Sequence, residues 1–155
     1  MKHLFAQSLG ALVLGLAISP AVTWAATAVT NAVAVHHDPA CGCCLNWISY
    51  MQAQGYVVTA HGDQSMAVVK ARLDVPANVA SCHTAQIGGY VIEGHVPVED
   101  IRRLLAEHPD AVGLAAPGMP MGSPGMEMGV PERYDVMLIG RDGSSQVFAT
   151  HDPKI

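Results

Sequence analysis

Hydrophobic and polar positions along the chain predict helices and strands that alternate. A helix that starts near Cys43 and ends at Gly55 has apolar side chains at positions i, i+3, i+4 and i+7, which form one face. A second helix is predicted around Val69 and ends before Pro76, and a third is predicted over residues 98–108. Short stretches with β character predict strands at residues 32–35, 56–60 and 87–93, the last broken by a Gly-Gly pair.

The last third of the sequence has a different pattern. Residues 111–132 are rich in Gly, Pro and Met and predict a long loop. Residues 134–139 and 146–149 flank an Asp-Gly turn and predict a C-terminal β-hairpin. The whole order is typical of an α/β sandwich with a small central β-sheet flanked by helices. A thioredoxin-like arrangement fits this order, because a cysteine motif lies between the first strand and its helix.

The first 25 residues are typical of a secretory signal peptide. Lys2 precedes an apolar run at residues 9–18, and small residues follow, with cleavage expected near Ala25 or Ala28. The run is shorter than the ~20 apolar residues that a membrane span needs. We therefore expect a periplasmic protein without stable membrane insertion after cleavage, with one domain over residues 33–152.

The charge of the chain excludes some partners. Eight Lys plus Arg stand against 13 Asp plus Glu, for a formal net charge of −5. Loss of residues 1–25 would remove Lys2 and make the chain one unit more negative. Because an acidic surface repels polyanions, we expect no nucleic-acid partner.

Four cysteines carry the strongest chemical signal. Cys41, Cys43 and Cys44 lie within four consecutive residues, and Cys82 is distant. Two structural disulfides explain this poorly, because one bridge would lie inside the 41–44 segment and close almost no loop. At a helix start, thiolates are stabilised, and a soft cation relieves their mutual repulsion. The pattern predicts Cu(I) or a comparable soft metal, and three thiols in four residues can hold more than one ion through bridging sulfurs. For Cys44 alone, a buried core thiol is the alternative.

Histidines and methionines supply further candidate ligands. His83 follows Cys82 and is either a ligand or a neighbouring hydrogen-bonding group, whereas His95 is a supporting donor or an ordinary turn residue. The segment 117–128, the Met-rich loop, contains four methionines within ten residues and no helical period. Thioethers suit Cu(I), although methionines that cover apolar surface are the alternative. The candidate ligands in this loop are Met119, Met121 and Met126.

Several motifs in order resemble those of a known family. They are Asp38-Pro39-x-Cys41-Gly42-Cys43-Cys44-x-x-Trp47, Ser81-Cys82-His83-Thr84, Gly89-Tyr90-x-x-Glu93-Gly94-His95-Val96-Pro97 and the loop from Pro117 to Glu127. Together they cover about residues 33–150 and resemble the CopG-type periplasmic copper-resistance proteins, formerly a domain of unknown function. The resemblance implies a thioredoxin-like fold and a multinuclear copper–thiolate site. It also implies that the four cysteines are the cluster ligands and that the protein serves copper homeostasis, including interconversion of Cu(I) and Cu(II).

Three functions stay open from the sequence. The first is a copper-binding protein, a buffer, scavenger or copper oxidoreductase, whose partners are copper ions and other periplasmic copper-handling proteins. The second is a thiol–disulfide oxidoreductase that uses Cys41 and Cys44, although such exchange does not need Cys43 or Cys82. The third is a zinc or iron–sulfur site, for which three cysteines in four residues are poorly spaced.

Overall fold

The computed structural model of the protein describes residues 31–62 and 65–153. The predicted signal peptide, residues 1–25 with its cleavage positions, lies outside the described residues. Among the described residues, no helix is both long enough and apolar enough to cross a membrane.

The described residues form a mixed α/β structure, which confirms the predicted class. The strands are β1 (Ala32–His37), β2 (Val57–His61), β3 (His83–Ile87), β4 (Tyr90–Glu93), β5 (Gly113–Ala115), β6 (Tyr134–Ile139) and β7 (Ser145–His151). The helices are α1 (Gly42–Ala53), α2 (Met66–Arg72) and α3 (Val98–Glu107), and a 3₁₀ turn at Ala77–Val79 precedes β3.

The described strands join one sheet in the order β2-β1-β3-β4-β5-β6-β7. β1 and β2 are parallel and are connected through α1, whereas β3 is antiparallel to both β1 and β4. His37, the last residue of β1, lies opposite His83, the first residue of β3. The segment that leads from β1 to the cysteine motif and the segment that carries Cys82 therefore meet at one edge of the sheet.

Helix α1 is fixed by its buried face, which is the face that the sequence predicts. Cys44, Trp47, Ile48 and Met51 are buried, and the last three belong to the main hydrophobic core with residues of β1, β3, β4 and α3. Burial of a large apolar side chain stabilises the fold by about 1.5–3 kcal/mol. This anchoring holds the N-terminus of α1 in place beside β3.

Two predictions about the strands need correction. The sequence predicts a loop over the whole of 111–132, but β5 lies within this region, parallel to β4 and antiparallel to β6. A strand of three residues is too short to show a period and is defined by its partners. The predicted strand over 87–93 is instead a hairpin of β3 and β4, which turns at Gly88-Gly89 with positive φ at both glycines. The predicted C-terminal hairpin, β6 and β7, is confirmed.

Candidate metal centre

The turn between β1 and α1 places the first cysteine at the helix start. The N–H of Cys41 donates to the carbonyl of Asp38 over 3.0 Å, and the N–H of Ala40 donates to the Asp38 side chain over 2.8 Å. Cys41 is the N-cap residue, so Cys43 and Cys44 lie in the first turn of α1. The first backbone N–H groups of a helix have no partner within the helix, and this end carries partial positive charge. The cysteine motif therefore lies at the positive end of the helix dipole.

All four cysteine sulfurs come together at this edge of the sheet. The Sγ atoms of Cys41, Cys43, Cys44 and Cys82 lie within 4.8 Å of one another. Cys41 and Cys44 form a disulfide, with Cα atoms 5.3 Å apart, whereas Cys43 and Cys82 are free thiols. Cys44 is buried and the other three are partly exposed, so the group is open to solvent on one side. This group is called the sulfur cluster below.

Two histidines extend the sulfur cluster at Cys82. Its Sγ lies 3.3 Å from Nδ1 of His83 and 3.1 Å from Nε2 of His95. Both imidazoles are fully buried, and the three ligand atoms lie within 4.8 Å of one another. Thiolate sulfur and imidazole nitrogen together suit copper or zinc rather than a hard cation.

The protonation of His95 follows from its hydrogen bond. Its Nδ1 lies 2.8 Å from the carbonyl oxygen of Pro124, which can only accept, so Nδ1 carries the proton. Burial lowers the pKa of His95, while the Pro124 carbonyl and Glu127 oppose that shift. The imidazole is therefore neutral, and the lone pair of Nε2 points at Cys82. A backbone carbonyl on the far nitrogen is the usual arrangement for a metal-binding histidine.

His83 has one nitrogen that lacks a partner. Its Nε2 is buried, and among the described residues it has no hydrogen-bond partner. The ring packs against Trp47, with centroids 4.6 Å apart. Burial lowers the pKa of His83 well below its usual value, helped by the nearby His95 and Lys70. The imidazole is therefore neutral, as a ligand must be. A ligand role through Nδ1, which faces Cys82, leaves the proton on Nε2, and a buried N–H without a partner is commonly satisfied by ordered water.

The thiol of Cys82 is protonated in the metal-free protein at neutral pH. Burial raises its pKa to about 11, and the neighbouring Cys43 adds to the shift. A metal ion binds the thiolate, so binding at Cys82 must release a proton.

The Met-rich loop closes over both cysteine-bearing segments. Gly118 is hydrogen-bonded to residues 80 and 81, directly before Cys82, and forms a bridge with Ser81. Gly125 has φ of +82°, and a Cβ added there would lie 2.8 Å from the backbone nitrogen of Trp47 and 3.2 Å from the carbonyl oxygen of Cys43. Only glycine allows this approach without displacing the backbone. The loop therefore fixes Pro124, and through it His95.

The predicted methionines lie on this loop at different depths. Met119 and Met121 are 52% and 38% exposed, and Met126 is half-buried. Because the first two are exposed, these methionines do not all belong to the core. Ligation by their sulfur atoms stays a prediction.

His95 is the member of the site that is absent from the ligands predicted from the sequence. A signal for it exists in the hairpin register, since Thr84 pairs with Glu93 and Ile87 pairs with Tyr90. Two residues further from the turn, Cys82 lies opposite His95. Recognition of a hairpin at Gly88-Gly89 would have brought this histidine to the cysteine.

Comparisons with known proteins point to one family. A family model described as "Protein of unknown function, DUF411" matches residues 79–126, which include Cys82, both histidines and most of the Met-rich loop. A solved structure named "Copper resistance protein copG- Form 1" is 48% identical, with a TM-score of 0.74, and the match covers 78% of this chain and 97% of that chain. The structure named "Form 2" is 48% identical over 77% of this chain and 97% of that chain, with a TM-score of 0.73. A comparison with curated proteins gave no match.

Proposed function

The chain belongs to the copper resistance protein CopG family, and we propose that it holds Cu(I) in a multinuclear cysteine–thiolate cluster. One observation carries the proposal: four sulfurs lie within 4.8 Å of one another, with two neutral imidazoles beside them. Sulfur and imidazole donors suit Cu(I). Four sulfurs and two imidazole nitrogens are more donors than one tetrahedral ion uses, so the donor set favours two or more ions with shared sulfurs.

The donors divide into three kinds in this proposal. The four cysteines supply bridging thiolates, and His83 and His95 supply nitrogen at the Cys82 side. The methionines of the loop supply thioether contacts for arriving Cu(I). These are Met119, Met121 and Met126. The exposure of the first two supports a role in uptake, because a surface thioether meets the ion before the sulfur cluster does.

The disulfide sets a redox condition on binding. Two electrons and two protons convert the Cys41–Cys44 bridge to two thiols, and only then can four sulfurs ligate. The reverse reaction links the site to copper itself, since two Cu(II) ions that oxidise the two thiols yield two Cu(I) ions, one disulfide and two protons. A copper oxidoreductase that interconverts Cu(I) and Cu(II) is therefore part of the proposal.

The proposal includes an exported, single-domain protein. Residues 1–25 would act as a signal peptide, and residues 33–152 would form one thioredoxin-like domain. The order β2-β1-β3-β4, with the cysteine motif between β1 and α1, supports that description of the domain. Other periplasmic copper-handling proteins would deliver or receive the ion.

An anaerobic titration of Cu(I) into the reduced protein tests the cluster. Elemental analysis should find several coppers per chain in the unmodified protein and fewer in Cys43→Ser and Cys82→Ser. His95→Gln should weaken binding, whereas His108→Asn is the matched control, because His108 is exposed and outside the site. One copper or none in the unmodified protein would overturn the cluster.

A thiol–disulfide oxidoreductase is the second candidate, favoured by the Cys41–Cys44 bridge at the start of α1. Redox exchange commonly uses a C-x-x-C pair in this position. If it is the function, the metal-free protein should reduce a disulfide substrate, and Cys82→Ser should retain that activity. Loss of the activity in Cys82→Ser, or its absence from the unmodified protein, would reject this candidate.

A further inference from the structure

A buried carboxylate holds the segment that carries Cys82, and we propose that this residue, Glu93, is a positioning residue for the copper site. The inference rests on the proposed function. Glu93 ends β4, and its side chain is fully buried. It has no place among the candidate ligands, so its burial needs another reason.

Both oxygens of Glu93 are used to fix the residues around Cys82. Oε1 accepts the backbone N–H of Ser81 over 2.5 Å and forms an ion pair with Lys70. Oε2 accepts the hydroxyl of Thr84 over 2.7 Å, and that hydroxyl accepts from Lys70 over 3.0 Å. The carboxylate therefore fastens the chain directly before Cys82 and two residues after it.

The next residue, Gly94, also contacts the segment that carries Cys82. Its N–H donates to the carbonyl oxygen of His83 over 2.9 Å. At Gly94, with φ of +72°, an added Cβ would lie 2.3 Å from the hydroxyl oxygen of Ser81. Segment 81–84 is thus held at Ser81, His83 and Thr84, and the Cys82 sulfur lies 3.1 Å from His95.

A contribution to the stability of the fold does not explain the ion pair between Glu93 and Lys70 well. Burial of two charges costs desolvation energy, and well-packed apolar residues of similar size are often as stable or more stable. An apolar pair cannot accept the Ser81 N–H, however. The charged acceptor is therefore best explained by the geometry that it imposes on Cys82, and Lys70 of α2 balances the charge that this acceptor carries.

Paired variants separate geometry from charge without leaving a charge stranded. Lys70→Met with Glu93→Gln removes both charges but keeps a carbonyl oxygen for Ser81. Lys70→Met with Glu93→Leu removes the acceptor as well. The first pair is thus the matched control for the second.

Two readouts are needed, and one of them requires no copper. In the metal-free reduced protein, iodoacetamide labelling resolved by peptide mass should modify Cys82 several-fold faster in the leucine pair, with Cys43 unchanged. Competition with a Cu(I) chelator should give an affinity ~10–100-fold lower in the leucine pair, the usual effect of losing a residue that supports a ligand. In the glutamine pair, the labelling rate of Cys82 and the Cu(I) affinity should stay within about threefold of the values for the unmodified protein, a much smaller change than in the leucine pair.

Wild-type affinity and Cys82 labelling in a folded leucine pair would overturn the proposal. If that pair does not fold, Thr84→Val decides, because it removes the Oε2 contact and the Lys70 contact to the same hydroxyl but leaves the Ser81 contact to Oε1. Weaker Cu(I) binding supports the proposal, and unchanged binding overturns it. If the unmodified protein binds no copper, the proposed function fails, while faster labelling of Cys82 would still establish Glu93 as its positioning residue.

Discussion

The substitution Gly125→Ala adds one methyl group and tests whether the site requires the close contact between the Met-rich loop and α1. In Gly125→Ala the new Cβ would meet the backbone nitrogen of Trp47 at 2.8 Å and the carbonyl oxygen of Cys43 at 3.2 Å. These are backbone atoms of α1, whose buried face is anchored in the core, so the loop has to move instead. Movement of the loop carries Pro124 away from His95.

The cost can be worked from two effects. A non-glycine residue at a left-handed φ of +82° costs about 1–2 kcal/mol. Loss of the hydrogen bond between His95 and Pro124 costs about 0.5–1.5 kcal/mol. We therefore expect the free energy of unfolding to fall by about 1.5–3.5 kcal/mol. Because His95 loses its orientation, Cu(I) affinity should fall by about tenfold or more.

Gly143→Ala is the control, since Gly143 has φ of +80° and an added Cβ would meet nothing within 4 Å. Urea unfolding of the reduced, metal-free proteins should show only the backbone cost in this variant, about 1–2 kcal/mol. Its Cu(I) affinity, measured by chelator competition, should equal that of the unmodified protein. If Gly125→Ala and Gly143→Ala lose equal stability and both bind copper normally, the argument that the loop positions His95 is wrong.

Two further predictions concern pH. Because burial raises the pKa of the Cys82 thiol to about 11, its iodoacetamide labelling rate in the metal-free protein should still rise between pH 9 and 11; a plateau near the free-cysteine pKa of about 8.5 would contradict this. Burial lowers the pKa of His83 and His95 in the folded protein, whereas histidines of the unfolded chain have a pKa of about 6.5. Below about pH 6.5 the unfolded chain therefore binds more protons than the folded protein does. Stability to urea should therefore fall from pH 7 to pH 5, and it should fall less steeply in His95→Gln than in the unmodified protein. An equal dependence of stability on pH in both proteins would refute the lowered pKa of His95.

Local pattern alone determined much of this protein. The apolar face of α1 was readable from 3.6-residue spacing, and the β6–β7 hairpin from alternation around Asp142-Gly143. The crowding of three cysteines at a helix start pointed to soft-metal chemistry, because donor type and spacing are properties of the chain. These features depend on residues only a few positions apart, so their physical cause lies within the sequence window that shows them.

Tertiary structure decided what depends on distant residues. β5 exists because β4 and β6 pair with it, and three residues carry no period of their own. His95 joins Cys82 through the hairpin register, Pro124 sets its proton through a contact 29 positions away, and Glu93 reaches Ser81 across the same hairpin. Each of these contacts follows from strand pairing and core packing, which bring together groups that are well separated in the sequence.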